Sequence, residues 1–295
     1  TNLAWSNGSI TATIPTTLQN LSGQLIVTRG DNGKANVNGI TLTVGNATAA
    51  GVIYVNKNGT GHFTTIQAAI DAPTTAAGAL IMVTPGIYEE LVVMHKPVKL
   101  QGYGSASTII NGVKSNGNKL LEWRKAIKTA FGNGVTLGSF SLLPGQQVDG
   151  NLDPTNPEPA LFASQEGPGI FVAGNPGEFT RNNAARIDAI QITGTEQGGA
   201  IFVNSYANFL KISNNRVVSN HGTYGGGIHV GDPLLQSNGA TYNNSVQIFY
   251  NEVVQNGGFG GAGGGISMYA GSNNYQVVQN QVCGNFSDAG GGGIA

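Results

Sequence analysis

Three segments of the C-terminal third share one pattern: FLKISNNRVVSN (209–220), VQIFYNEVVQN (246–256) and YQVVQNQVCGN (275–285). Each is followed by a glycine run and an isoleucine, as GGGIHV, GGGISMY and GGGGIA, and GGAIFV at 198–203 precedes the first. Repetition on this scale narrows the possible folds sharply. One such unit is too small to bury its own apolar face and must stack on a neighbour. Aligned, the copies place Asn215, Asn251 and Asn280 in one column and Asn220, Asn256 and Asn285 in a second. In a coil of parallel strands, stacked Asn side chains hydrogen-bond to one another at a turn and tolerate left-handed backbone there. The glycines suit tight bends between strands. A third column, Val218, Val254 and Cys283, is expected to point inward, which makes Cys283 a small buried hydrophobe rather than a reactive thiol.

Upstream the same architecture is prepared differently. Runs with strand character at 80–83, 91–94, 98–101 and 108–110 are joined by very short links with no helix between them, which excludes a doubly wound sheet. Residues 63–73 read as one short helix. Thr64 and Gln67 have capping-box spacing, Phe63 and Ala68 are placed for a hydrophobic staple, and Pro73 ends the stripe of Ile66, Ala69 and Ile70. Residues 1–48 alternate in period two through Ile10, Ala12 and Ile14, then Leu25 and Val27, then Ile40, Leu42 and Val44, with DNG at 31–33 among the turns. Four short strands are about half of an immunoglobulin-like sandwich. One segment, 113–168, breaks the repeat. It holds a helix, KLLEWRKAIKTAF, with Asn118 as N-cap, Gly132 beyond its end and Leu120, Trp123 and Ile127 as its apolar face. A Pro-rich loop over 144–168 follows, and loops of that length are usually functional or mobile.

The wording of several segments is familiar. Residues 51–295 resemble a parallel β-helix of the pectin-lyase-like superfamily, which implies a right-handed coil capped at its N-terminal end by the helix at 63–72. The stretch VNKNGTGHFTTIQAAIDA, with VTPGIYEE and LQGYG, resembles the opening of the pectin methylesterases. SITATIP…GQLIVTRGDNGKANVNGITLTVG resembles the C-terminal half of an IPT/TIG domain, so 1–48 is expected to be a partial domain of that kind. The chain stops at GGGGIA in mid-repeat, so either a continuation or another chain is expected to cover that end, giving end-to-end or homo-oligomeric association.

The esterase resemblance implies a catalytic set that this sequence lacks. That family draws a Gln from a QAVA-type stretch, an Asp from a QDTL-type stretch, a nucleophilic Asp from DFIFG and an Arg from LGRPW. None of these occurs between 93 and 295. Its chemistry needs one carboxylate to attack and a second to act as acid. A pectate lyase commonly uses an Arg or Lys base beside calcium, and no Lys or Arg follows Arg216. The clustered Asp motifs of a polygalacturonase are likewise missing. His221 and His229 therefore read as loop and rung residues, and no metal-binding spacing links the four histidines.

Two function classes remain: a non-catalytic extracellular or cell-surface module, structural, adhesive or filament-building, and a carbohydrate-active enzyme of unrecognised type. A formal net charge of −1 leaves no nucleic-acid footprint, and no apolar run is long enough for membrane insertion. If polysaccharide binds, Tyr206, Tyr224, Tyr250, Tyr269 and Tyr275 are the candidate contacts, because aromatic faces stack on sugar rings; the alternative is that several sit inside or at rung corners. For a cofactor, only calcium has a candidate loop. In DGNLDPTNPE, Asp149, Asn151 and Asp153 alternate like the first three ligands of a calcium loop, and Glu158 adds a carboxylate. Pro154 stands where the turn glycine belongs and Ala160 occupies position twelve, so plain turn chemistry is the competing reading.

Overall fold

The computed structural model describes residues 3–6, 9–18, 21–36, 38–45, 50–113, 118–131, 140–144, 146, 167–233, 235, 242–260 and 263–295. From Val52 onward the described chain is a parallel β-helix of three long sheets, joined by two short sheets of two-residue strands. The first sheet stacks seven strands: Val52–Val55, Leu80–Val83, Lys99–Gly102, Arg186–Asp188, Lys211–Ser213, Gln247–Phe249 and Gln276–Val278. The second stacks six: Gly86–Tyr88, Thr108–Asn111, Gln191–Thr193, Arg216–Val218, Glu252–Val254 and Gln281–Cys283. The third stacks five: Val92–Met94, Ile170–Ala173, Ile201–Ser205, Ile228–Val230 and Ile266–Met268. The four upstream strands fall where their apolar runs predict them.

Inside, the middle residue of each three-residue strand in the first two sheets faces the axis. Leu100, Ile187, Ile212, Ile248 and Val277 make one column, and Ile110, Ile192, Val217, Val253 and Val282 another. In the third sheet the outer two residues face in, as Ile201 and Val203 or Ile228 and Val230 do. Dry aliphatic columns of this kind supply the burial that no single rung has.

The expected column of Val218, Val254 and Cys283 exists, since the three are paired in register. It is outside the axial cluster, however: Val218 is buried and Val254 half-buried on the outer side, and Cys283 is an exposed thiol, not a buried hydrophobe. Side chains alternate along a strand, so an error of one residue exchanges the faces. The signal was present: Arg216, Glu252 and Gln281 open these strands and must meet water, which sends the next residue inward and the one after it out.

Both Asn columns form ladders. Asn215 donates from its backbone and side-chain nitrogens to Asn251 Oδ1 at 3.0 and 3.1 Å, and Asn251 does the same to Asn280 at 3.0 and 2.9 Å. The second ladder links Asn220, Asn256 and Asn285 in the same way. The left-handed residue is the one just before each ladder position, not the ladder Asn itself. Asn214, Tyr250 and Gln279 precede one ladder, and Ser219, Gln255 and Gly284 the other, all with φ between 54° and 63°.

Helix α1 (Ile66–Asp71) closes the N-terminal end, burying Ile66, Ala69 and Ile70 in the coil. Its N-cap is Thr65, whose hydroxyl accepts from Ala68 N at 3.3 Å, so the capping-box reading at Thr64 was one residue early. Gln67 reaches the third sheet instead, accepting from Val93 N at 2.7 Å and donating to Val93 O. Helix α2 (Lys119–Phe131) lies over the outside of that sheet with Trp123 and Ile127 buried and Leu120 packed beside them, the apolar face expected of it.

Residues 3–43 contribute four strands in two antiparallel pairs, Leu3–Ser6 with Ser9–Ala12 and Ser22–Leu25 with Ile40–Thr43. The two pairs do not join into one sheet, and Ile10, Leu25 and other apolar side chains of this region stay exposed.

Candidate functional site

The coil offers outer faces, and segments of the chain itself cover parts of two of them. On the third sheet the outward column runs Val93, Phe171, Phe202, His229 and Ser267. Phe171 meets Trp123, Phe140 and Phe202 edge to face, with ring centroids 6.1, 5.6 and 5.4 Å apart, the geometry aromatic pairs favour. His229 continues the stack 4.2 Å from Phe202 at an interplanar angle of 26°. It is fully buried, and neither ring nitrogen reaches a hydrogen-bond partner among the described residues. Burial pushes its pKa down to about 3; the Gly225 backbone alongside opposes the shift but falls short of a formed hydrogen bond. This imidazole is neutral and closed in, as a rung residue should be.

On the first sheet two columns face out. One is Lys99, Arg186, Lys211, Gln247 and Gln276; the other is Gln101, Asp188, Ser213, Phe249 and Val278. Residues 38–43 are clamped across its lower rungs by a buried polar network. Asp188 accepts from Thr41 N at 2.9 Å, Thr41 Oγ1 at 2.8 Å, Ser213 Oγ at 2.6 Å and Asn214 Nδ2 at 2.6 Å. Gln101 donates to Thr41 O at 2.9 Å, and Arg186 bonds Gln101 and Thr43. Burial lowers the Arg186 pKa against the opposing pull of Asp188, and Lys99 is lowered by burial and by the neighbouring Arg186 charge. None of this docking was legible in the sequence, because Thr41 and Asp188 are far apart along the chain and no motif links them.

Above the clamp the same face opens into a cleft of about 350 Å³. Its floor is Lys211, Gln247 and Gln276, with Gln247 Nε2 donating to Gln276 Oε1 at 3.0 Å. Its wall includes Phe209 and Asn274, both left-handed turn residues two positions before the floor residue of their rung. Arg181 leans in from the preceding loop, its guanidinium carbon 5.1 Å from the Phe209 ring centroid. Sequence reasoning missed this group. The aligned repeats could have shown Lys211, Gln247 and Gln276 as one outward column, but nothing ties Arg181 to them except the fold.

The five tyrosines do not form one face. Tyr224 and Tyr269 come together at the third sheet, where the Tyr269 hydroxyl donates to the Tyr224 carbonyl. Tyr206 is a left-handed turn residue whose ring is 5.6 Å from Tyr242, and Tyr250 is the left-handed corner before Asn251, 5.7 Å from Phe249. Tyr275, at the start of a first-sheet strand, is the one largely in solvent, 47% exposed. Asp149, Asn151, Asp153 and Glu158 lie outside the described residues. Among the described residues no three His, Cys, Asp or Glu side chains converge as a metal site.

Several carboxylates have structural partners. Glu90, from the GIYEE segment, accepts from Ile66 N and Gln67 N, both at 2.9 Å, so it caps α1 through space; burial pushes its carboxyl up against the pull of those two bonds. Asp71 meets His95 at 2.9 Å, Glu252 meets Arg216 at 3.2 Å, and Asp232 accepts from Gln146 at 2.6 Å. No helix among the described residues is long and apolar enough to cross a membrane.

No family model matches the chain, and no solved structure matches it. Partial similarity to curated proteins does exist. Over 81 residues the chain is 41% identical to probable pectinesterase/pectinesterase inhibitor 17 of Arabidopsis thaliana, covering 27% of this chain and 16% of that protein. Over 91 residues it is 37% identical to a cell surface glycoprotein of Methanothermus fervidus, covering 31% and 14%. Over 94 residues it is 35% identical to probable pectinesterase/pectinesterase inhibitor 6 of Arabidopsis thaliana, covering 30% and 17%. The chain therefore spans only 14–17% of the length of these relatives.

Proposed function

We propose that this chain is a non-catalytic β-helix module of an extracellular or cell-surface protein, with a structural or adhesive role and polysaccharide as its ligand. The observation that carries the reading is how five of the described carboxylates are employed. Ester and glycoside hydrolysis by paired acids need two carboxyl groups free to act on one substrate. Here Glu90 caps a helix, Asp188 anchors the N-terminal strands, and Asp71, Asp232 and Glu252 bind neighbouring side chains. The aromatic stack beneath α2 further supports it, since that face is spent on packing. Likeness to a cell surface glycoprotein suits the location, and the partial IPT/TIG-like reading of 1–48 fits a chain built from surface modules.

A second reading, a carbohydrate-active enzyme with a site of unrecognised type, is favoured by the similarity to proteins named pectinesterase. One experiment separates the two. The purified chain is incubated with a panel of acidic and neutral polysaccharides, following retention on each and release of methanol, reducing ends or unsaturated products. Retention without product is the expected outcome. Product formation abolished by heat denaturation would establish the enzyme instead.

A further inference from the structure

We infer that the first-sheet cleft bounded by Arg181, Phe209 and Lys211 is a binding site for acidic saccharide, a sugar carrying a carboxylate or a sulfate ester. The inference rests on the polysaccharide-binding reading above and assigns it a place and a charge. The chain has few cations, 14 in 295 residues, yet Arg181 and Lys211 line one cleft together, and the described residues lining it include no carboxylate. A purely structural surface would be expected to answer neighbouring cations with acids, since like charges side by side repel. Lower on the same column that requirement is met: Arg186 lies beside Asp188 under the clamp. At Lys211 the column changes from cations to the amides of Gln247 and Gln276 without passing through an acid.

The rest of the cleft suits a sugar. Phe209 holds the Arg181 guanidinium over its ring, an arrangement that orients a planar donor fork toward an anion. Gln247, Gln276 and Asn274 supply amides that both donate and accept, as hydroxyl groups require. The volume lies in the range of small-ligand pockets. Rungs repeat every ~4.8 Å, so an extended polymer lying along the axis meets similar donors on successive turns.

The test uses the whole 295-residue chain and three hexasaccharides: a hexauronate, a sulfated hexasaccharide and a neutral hexaglucoside, each titrated by calorimetry at low and moderate salt. Tighter binding of one or both acidic probes than of the neutral one, weakening as salt rises, is the expected result. Arg181→Gln with Lys211→Gln should weaken the acidic probe at least about tenfold, which is the loss of roughly 1.4 kcal/mol, with an unchanged melting temperature. Phe209→Leu should weaken the acidic probes, because it frees the Arg181 side chain. The two acidic arms identify which anion the cleft prefers. Equal affinity for acidic and neutral probes, or acidic binding undiminished in the double variant, would overturn this assignment while leaving polysaccharide binding intact. No binding of any probe would overturn both.

Discussion

At the scale of single residues, the stack is held at its corners. Asn251 is fully buried and uses its side chain completely: it accepts from Asn215 and donates to Asn280, Ile212 O and Phe249 O. Asn251→Ala should therefore cost on the order of 1–3 kcal/mol, because it strands buried partners on both neighbouring rungs. Chemical denaturation would show this, and an unchanged midpoint would mean that water replaces the amide freely. His229 makes a prediction of the opposite kind. Its folded pKa of about 3 lies below the ordinary histidine value, so the unfolded chain binds the extra proton. The stability this neutral imidazole permits is complete above about pH 6.5 and is lost as pH falls toward 3, by up to about 1.4 kcal/mol per pH unit. Denaturation curves across pH 4–7 should show that slope, and His229→Phe should flatten it. Equal slopes in both proteins would refute the assignment.

At the scale of elements, the N-terminal strands are attached to the coil by polar groups more than by apolar packing. Asp188 gathers four hydrogen bonds at a buried point where Ile40–Thr43 crosses the first sheet. Asp188→Ala removes the shared acceptor and leaves the Thr41 amide and the Ser213 and Asn214 side chains without it. A loss on the order of 3 kcal/mol is expected, since each bond goes to a charged group. The loss should appear first as faster proteolysis between residues 40 and 52, with the β-helix still folded. Proteolysis at the wild-type rate would show that the exposed apolar strands hold themselves in place. Helix α2 combines both kinds of attachment, with Trp123 and Ile127 packed on an aromatic column and Lys119 Nζ donating to Asn111 O at 3.1 Å and Val113 O at 2.6 Å.

At the scale of the whole molecule, a parallel β-helix is quasi-one-dimensional, with each rung resting only on its neighbours. Among the described residues Gln276–Val278 and Gln281–Cys283 pair with a strand on one side only, and Val277 and Val282 of the same rung are just partly buried. Open strand edges over an apolar end template further pairing. We propose that the 295-residue chain in solution self-associates through this rung. Sedimentation at rising concentration should show self-association that is abolished by fusing a charged capping segment after Ala295. A monomer at high micromolar concentration, its last rung protected from hydrogen exchange, would contradict the prediction.

The repeats alone were enough to specify a stacked parallel coil, the two Asn ladders and the pairing register, because every rung meets the same steric and hydrogen-bonding demand at the same sequence position. The apolar stripes of both helices were legible for a similar reason: a helix buries one face whatever it packs against. What remained undecided was anything set by contact between distant segments. Which of two adjacent valines faces the axis depends on a one-residue shift that the repeat pattern alone permits either way, and the outward demand of Arg216 and Glu252 decides it. That Glu90 caps α1 from 24 residues away, that Asp188 anchors Thr41, and that Arg181 comes to rest over Phe209 are products of the coil closing on itself. Local sequence carries the periodic terms of the fold, whereas the docking network and the cleft arise from side chains that meet only once the rungs are stacked.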